Sequence, residues 1–101
     1  MNVQVNAPFQ VNDYLQSVID EKFNKLDTYI DRIIEAEVYL KIGEKRHRQA
    51  EDQIAEIRLH VPGHTFFAEA HTESFEKSVA SAAEKVARQI RKYKAQHLSH
   101  H

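Results

Sequence analysis

Cysteine is absent from the 101 residues, and glycine and proline occur only twice each. The lack of cysteine excludes disulfides, thiolate metal sites and thiol nucleophiles together, and fits a reducing compartment. Two glycines leave no glycine-rich loop to cradle a phosphate. No apolar run approaches the ~20 residues that a membrane span needs. The opening MNVQVNAPFQ has neither the basic nor the apolar stretch of a secretory signal. These absences point to a cytoplasmic protein with no membrane partner. What is present, 42% hydrophobic and 29% charged residues, is the composition of an ordinary globular domain at a length that suits one core.

Charge nearly cancels over the whole chain, at −1, but not along it. Residues 1–70 hold 8 Lys and Arg against 12 Asp and Glu, whereas residues 71–101 hold 6 against 3. From Lys85 to His101 five bases (Lys85, Arg88, Arg91, Lys92, Lys94) stand without one acid. A basic end on a near-neutral domain implies a polyanionic partner. The alternative is a solvated helix end whose cations complement the helix dipole.

Hydropathy patterning divides the chain into six elements. Val3 and Val5 alternate with Asn2, Gln4 and Asn6, which predicts a short strand closed by Pro8. A helix follows from Asn12 or Asp13, with Asp13 and Gln16 at capping-box spacing. Its apolar stripe is Leu15, Val18, Ile19, Phe23, Leu26 and Ile30. Over 35–42, Ala36, Val38, Leu40 and Ile42 alternate with Glu35, Glu37, Tyr39 and Lys41. The stretch 43–53 holds no apolar residue larger than Ala50 and reads as an exposed loop. A third strand turns Ala55, Ile57, Leu59 and Val61 inward. Pro62-Gly63 makes a turn, and a fourth strand turns Phe66, Ala68 and Ala70 inward. Thr72 or Ser74 caps a last helix that runs to about His97, with Phe75, Val79, Ala83, Val86, Ile90 and Tyr93 as its stripe.

Strands with one apolar side require a sheet covered on one face. The expected fold is therefore an α+β two-layer sandwich in the order β-α-β-β-β-α. It has a four-stranded mixed sheet, both helices on one face, and a parallel crossover between the first two strands. One domain spans 1–98, and 99–101 form a polar tail that frays.

Wound at about 100° per residue, Lys85, Arg88, Gln89 and Lys92 share one side of the last helix, nearly opposite Val86, Ile90 and Tyr93. Arg91 and Lys94 broaden the row. Cations about 5–6 Å apart can follow a nucleic-acid backbone. A helix that is merely solvated mixes signs; here Glu84 is the one acid spaced to pair, with Arg88. Lys22 and Lys25 on the first helix extend the surface, although Asp20, Glu21 and Asp27 are near enough in sequence to pair with them. On the outward side of the sheet Tyr39 and Phe67 could stack bases. Glu35, Glu37, Glu56 and Glu69 outnumber Lys41 and Arg58 there, however, and would repel phosphates. The seven histidines show no ligand spacing of a metal site. No Ser-His-Asp order or carboxylate pair in an apolar setting stands out. No metal, cofactor, small-molecule substrate or enzyme activity is expected.

Two segments resemble a known family. Lys22-Phe23-Asn24-Lys25-Leu26-Asp27, continuing to Tyr29-Ile30-Asp31-Arg32-Ile33, is similar to the first helix of short ribosome hibernation-promoting factors, also called ribosome-associated inhibitors. Glu84-Lys85-Val86-Ala87-Arg88-Gln89-Ile90-Arg91-Lys92-Tyr93-Lys94 is similar to their basic second helix, KxxRQxxK in outline. The sequence departs from the family at the start of that helix, where Ser74-Phe75-Glu76 and Ala80 stand. The resemblance implies the same β-α-β-β-β-α fold and binding to the small ribosomal subunit, in the channel used by messenger and transfer RNA. It implies Lys22, Lys25, Lys85, Arg88, Gln89 and Lys92 as rRNA contacts, supported by Arg91 and Lys94, and reversible inhibition of translation by steric occlusion. Long family members carry a C-terminal dimerisation domain absent from these 101 residues, so pairing of ribosomes would call for a second factor. Two other readings stand beside this one: a double-stranded-RNA module acting off the ribosome, and a protein-interaction domain using the acidic sheet face.

Overall fold

The computed structural model describes residues 1–43 and 52–97. Six elements follow in order: β1 (Val3–Asn6), α1 (Asp13–Asp27), β2 (Glu35–Ile42), β3 (Gln53–Val61), β4 (His64–Thr72) and α2 (Phe75–His97). The strands form one sheet in the order β1-β2-β3-β4. β1 runs parallel to β2, while the β2/β3 and β3/β4 pairs are antiparallel. This is the α+β sandwich expected from the alternation. Most of the stretch 43–53 read as a loop, and the tail 99–101, lie outside the described residues.

The period-two pattern does the sorting. Ala36, Val38 and Leu40 of β2 pair across with Leu59, Ile57 and Ala55 of β3, which pair in turn with Phe66, Ala68 and Ala70 of β4. All nine are buried in the core beneath the helices. Ile42 continues the alternation but is 54% exposed, against the sequence expectation. It is the last residue of β2 and pairs with the polar Gln53, so the pattern outlasts the apolar layer that would bury it. The β3–β4 turn puts Gly63 at φ +79°, which a glycine after proline adopts without strain.

Asn12 starts α1: its Oδ1 accepts the Leu15 N–H at 2.8 Å. The Asp13–Gln16 capping box does not form, because the Gln16 amide donates to Asp20 Oδ1 at 3.0 Å instead. Leu15, Ile19, Phe23 and Leu26 are the buried stripe of α1. Beyond the helix, Ile30 still reaches the core, and the chain turns towards β2 through Arg32 at φ +63°. That left-handed conformation costs a side-chain-bearing residue roughly 1–2 kcal/mol.

Ser74 caps α2, its Oγ accepting the Lys77 N–H at 3.2 Å. α2 buries Val79, Ala82, Ala83, Val86, Ala87 and Ile90, and with them one polar residue, Ser78. The Ser78 hydroxyl donates to the Gln53 carbonyl and accepts the Thr72 N–H at 3.1 Å. It also lies 2.8 Å from Thr72 Oγ1. The start of α2 is thus tied to the paired ends of β3 and β4. Replacing a buried partner of this kind costs about 1–3 kcal/mol. Ser78→Ala, which keeps nearly the same volume, should lower stability by that amount, measured as a reduced urea midpoint at unchanged slope.

Candidate nucleic-acid interface

α2 is two-sided across its apolar stripe, and each flank meets a different element. On one flank Lys85 and Gln89 reach β4, an edge strand of the sheet. Gln89 Nε2 donates to the Phe67 carbonyl at 2.7 Å, and Gln89 Oε1 accepts the Phe67 N–H at 3.3 Å. Lys85 Nζ donates to the Glu69 carbonyl at 2.8 Å. These side chains supply partners that a fifth strand would otherwise supply, so they blunt an edge open to strand addition.

The opposite flank faces α1. Small residues, Ala80, Ala83 and Ala87, line a trough of about 120 Å³ between the helices, with Lys22, Lys25 and Arg91 and one acid, Glu84, along it. Lys94 is fixed at the end of this flank, its Nζ donating to the Tyr29 carbonyl at 2.7 Å. Between the two flanks Arg88 and Lys92 stand on the crest of α2, both exposed. The eight residues singled out from the sequence therefore fall into three groups. Lys85 and Gln89 border the β4 edge. Arg88 and Lys92 face solvent. Lys22, Lys25, Arg91 and Lys94 line the side towards α1. Helical periodicity places these residues around the axis, but it carries no signal for the edge contacts.

The charge pairing of the two faces differs. Among the described residues, none of these seven cations forms an ion pair with a carboxylate. Glu84 does not neutralise Arg88, and Asp20, Glu21 and Asp27 do not neutralise Lys22 or Lys25. On the outer face of the sheet several charged side chains do contact one another, one as a lysine–carboxylate pair and the others through histidines. Lys41 Nζ meets Glu56 Oε2 at 2.6 Å, and His71 Nε2 meets Glu69 Oε2 at 3.0 Å. His60 Nε2 meets Glu37 Oε1 at 3.1 Å, while its Nδ1 lies 2.9 Å from Thr65 Oγ1. The Arg58 guanidinium lies over the rings of Tyr39 and Phe67, 5.4 and 5.5 Å from their centroids. Both aromatics that could have stacked bases are thus engaged by an internal cation.

Glu35, Glu37 and His60 form the grouping whose ligand atoms could converge on a metal ion among the described residues. Their contacts instead close on one another across the β2/β3 register, where Glu35 stands opposite His60. Linear spacing could not reveal the trio, because strand pairing assembles it. The hydrogen bond from His60 holds the Glu37 carboxyl below its ordinary value near 4.5, and the Tyr39 hydroxyl, donating to Oε2 at 3.0 Å, adds to this. Reciprocally, that bond to Glu37 raises the Tyr39 phenol above its ordinary value.

Residues 3–97 match the protein family described as Sigma 54 modulation protein / S30EA ribosomal protein. A ribosome hibernation promotion factor of Deinococcus radiodurans is 30% identical over 97 residues, a match covering 96% of this chain and 47% of that protein. The chain thus spans about half the length of that relative. The ribosome hibernation promoting factor of Escherichia coli strain K12 is 29% identical over 85 residues, covering 84% of this chain and 83% of that protein. Two solved structures share the fold at 21% identity. A ribosomal subunit interface protein from Coxiella burnetii superposes with a TM-score of 0.77, covering 94% of this chain and 99% of its own. The N-terminal domain of Thermus thermophilus Protein Y gives 0.76, covering 92% and 99%.

Two outcomes follow from the geometry of this region. Gln89→Ala should free both main-chain groups of Phe67 and raise self-association through β4, read as a concentration-dependent shift in sedimentation velocity. Because the Glu37 carboxyl is held low in the folded chain, its contribution is complete above the ordinary value near 4.5 and disappears as pH falls through the lowered one. Urea midpoints measured from neutral pH into that acid window should fall for the parent chain, and fall less for Glu37→Gln.

Proposed function

The chain belongs to the Sigma 54 modulation protein / S30EA ribosomal protein family, and on that premise we propose that it is a ribosome-associated inhibitor of translation of the hibernation type. In this reading it binds rRNA of the small subunit in the channel that messenger and transfer RNA use. A channel already filled cannot accept either, so translation stops without any chemical step and resumes when the protein leaves. No cofactor or turnover enters, and the protein acts in the cytoplasm.

The observation that carries this reading is the contrast between the faces. Seven cations on the helix side lack a carboxylate partner among the described residues, while on the sheet Lys41 is paired with Glu56, and Glu37 and Glu69 are hydrogen-bonded by His60 and His71. Unpaired cations on a rigid helix can exchange their solvent counterions for phosphates, and the release of those ions supplies the affinity. Arg88 and Lys92 on the crest, with Arg91, Lys22 and Lys25 in the trough, are assigned to phosphates directly. Lys85 and Lys94 already donate to carbonyls and carry charge available to a nearby phosphate as well. Gln89, whose amide is engaged by Phe67, enters as the residue that fixes the row against the sheet.

Arg88→Glu combined with Lys92→Glu should abolish co-sedimentation with small subunits in a sucrose gradient. Exposed substitutions of this kind change stability by no more than about 0.5 kcal/mol, so the thermal midpoint should hold. Unchanged co-sedimentation would remove the assignment. Preference for naked duplex RNA over assembled subunits at equal salt would transfer it to a double-stranded-RNA module instead.

A further inference from the structure

The turn after α1 holds a cation that the proposed site does not use. Arg32 has φ +63° and is the one non-glycine residue with a positive φ among the described residues. Glycine occupies this conformation freely, and asparagine or aspartate tolerates it better than a long side chain does. Residues held in it by the surrounding structure cluster at functional sites. Arg32 is exposed, and its guanidinium has no hydrogen bond, ion pair or ring contact among the described residues. The fold holds the backbone on both sides, through Ile30 in the core and the Ile34 N–H on the His60 carbonyl, and leaves the guanidinium open to an outside partner.

The surroundings indicate what it could be. Arg32 lines a groove of about 490 Å³ together with Tyr29, Asp31, Pro62, Tyr93 and Lys94. Tyr29 also borders the trough that holds Lys22, Lys25, Arg91 and the acid Glu84, so the two depressions adjoin at that residue. A strand following the trough would reach Arg32 and Lys94 next. Base stacking on Tyr93 is disfavoured, because its ring is stacked with His64 at 4.7 Å and with His97 at 4.3 Å. Asp31 in the same groove disfavours a strand lying flat along it and leaves Arg32 one phosphate at a time. We propose that Arg32 is a further phosphate-binding residue, gripping a phosphodiester of the RNA strand where it leaves the trough between α1 and α2. A guanidinium suits this role, since its planar fork can hold two phosphate oxygens at once.

The proposal rests on the ribosome-binding reading, and the strained backbone provides a test that separates the two. Arg32→Gly removes the side chain while suiting φ +63°, and Arg32→Asn does the same with a smaller change in the unfolded chain. Both variants should melt at or above the parent temperature. Both should bind small subunits several-fold more weakly at low salt, with the slope of log affinity against log salt reduced by about one. Arg32→Lys should recover the slope and only part of the affinity. If the Arg88/Lys92 double reversal loses binding while Arg32→Gly and Arg32→Asn bind with the parent's affinity and slope, Arg32 has no phosphate and this inference alone is overturned. If the double reversal also binds normally, the ribosome-binding reading fails first.

Discussion

The apolar face of the sheet sets the terms for the rest of the molecule. Ten side chains from β2, β3 and β4 are buried on that face, at a typical gain of roughly 25 cal/mol for each Å² of apolar surface covered. Two helices supply the cover, and each can do so only with its own apolar stripe inward. α2 meets this demand largely with alanine: Ala82, Ala83 and Ala87 alternate with Val79, Val86 and Ile90. Small side chains let a helix lie close, and closeness allows a glutamine to reach the main chain of β4 on one side and a lysine to reach the turn after α1 on the other. The outward direction of Arg88 and Lys92 is thus a consequence of burial on the opposite side of the same helix.

Charge is segregated by the same layering. A sheet face open to water can bring opposite charges together across strands, and here the register does so, placing Glu37 diagonally from His60 and Lys41 diagonally from Glu56. Such exposed pairs add little stability individually. Their effect is to leave the acidic face with few free charges at short range. The helical layer has one such pair, Lys77 with Glu73 at the start of α2, and none at the cations towards its C-terminus or at Lys22 and Lys25 among the described residues. A chain of net charge −1 therefore presents one face on which cations outnumber the acids beside them, Glu84 in the trough and Asp31 in the adjoining groove, and a polyanion meets that face rather than the average.

Much of this was legible in the sequence because periodicity reports burial directly. Alternation over 35–42 and 55–61 and the 3.6-residue stripe of α2 required no knowledge of contacts, and the sandwich follows from them. Local chemistry was less legible. Asp13 and Gln16 have the spacing of a capping box, yet Asn12 is the cap, because its carboxamide meets the free N–H of Leu15. Ser78 looks like an ordinary polar residue in a helix, and only the arrival of Gln53 and Thr72 beside it makes it a tie between layers. The row Lys85, Arg88, Gln89 and Lys92 was placed on one side of α2 from spacing alone. That two of its members lean onto a strand edge depends on the distance between helix and sheet, which no pattern encodes. Arg32 stands in the segment that resembles the family, but its left-handed backbone gave no signal, since a backbone angle leaves no trace in residue order.

The engagement of Lys85 and Gln89 bears on why a binding surface can be built on α2 without inviting unwanted partners. An edge strand and a row of cations lie within one helical turn of each other, and each is a hazard alone. The edge offers backbone groups to any extended chain, and a mobile cation loses entropy when a ligand orders it. Seating Gln89 and Lys85 on β4 lessens both. The edge loses both free groups at Phe67 and the carbonyl at Glu69, and the helix gains anchors that limit its roll about its own axis. Arg88 and Lys92, held on that anchored helix, keep a fixed spacing relative to the trough residues of α1. The entropy lost on ordering a surface then falls mainly on the side-chain tips, which is the condition under which a few unpaired charges can select one arrangement of phosphates over another.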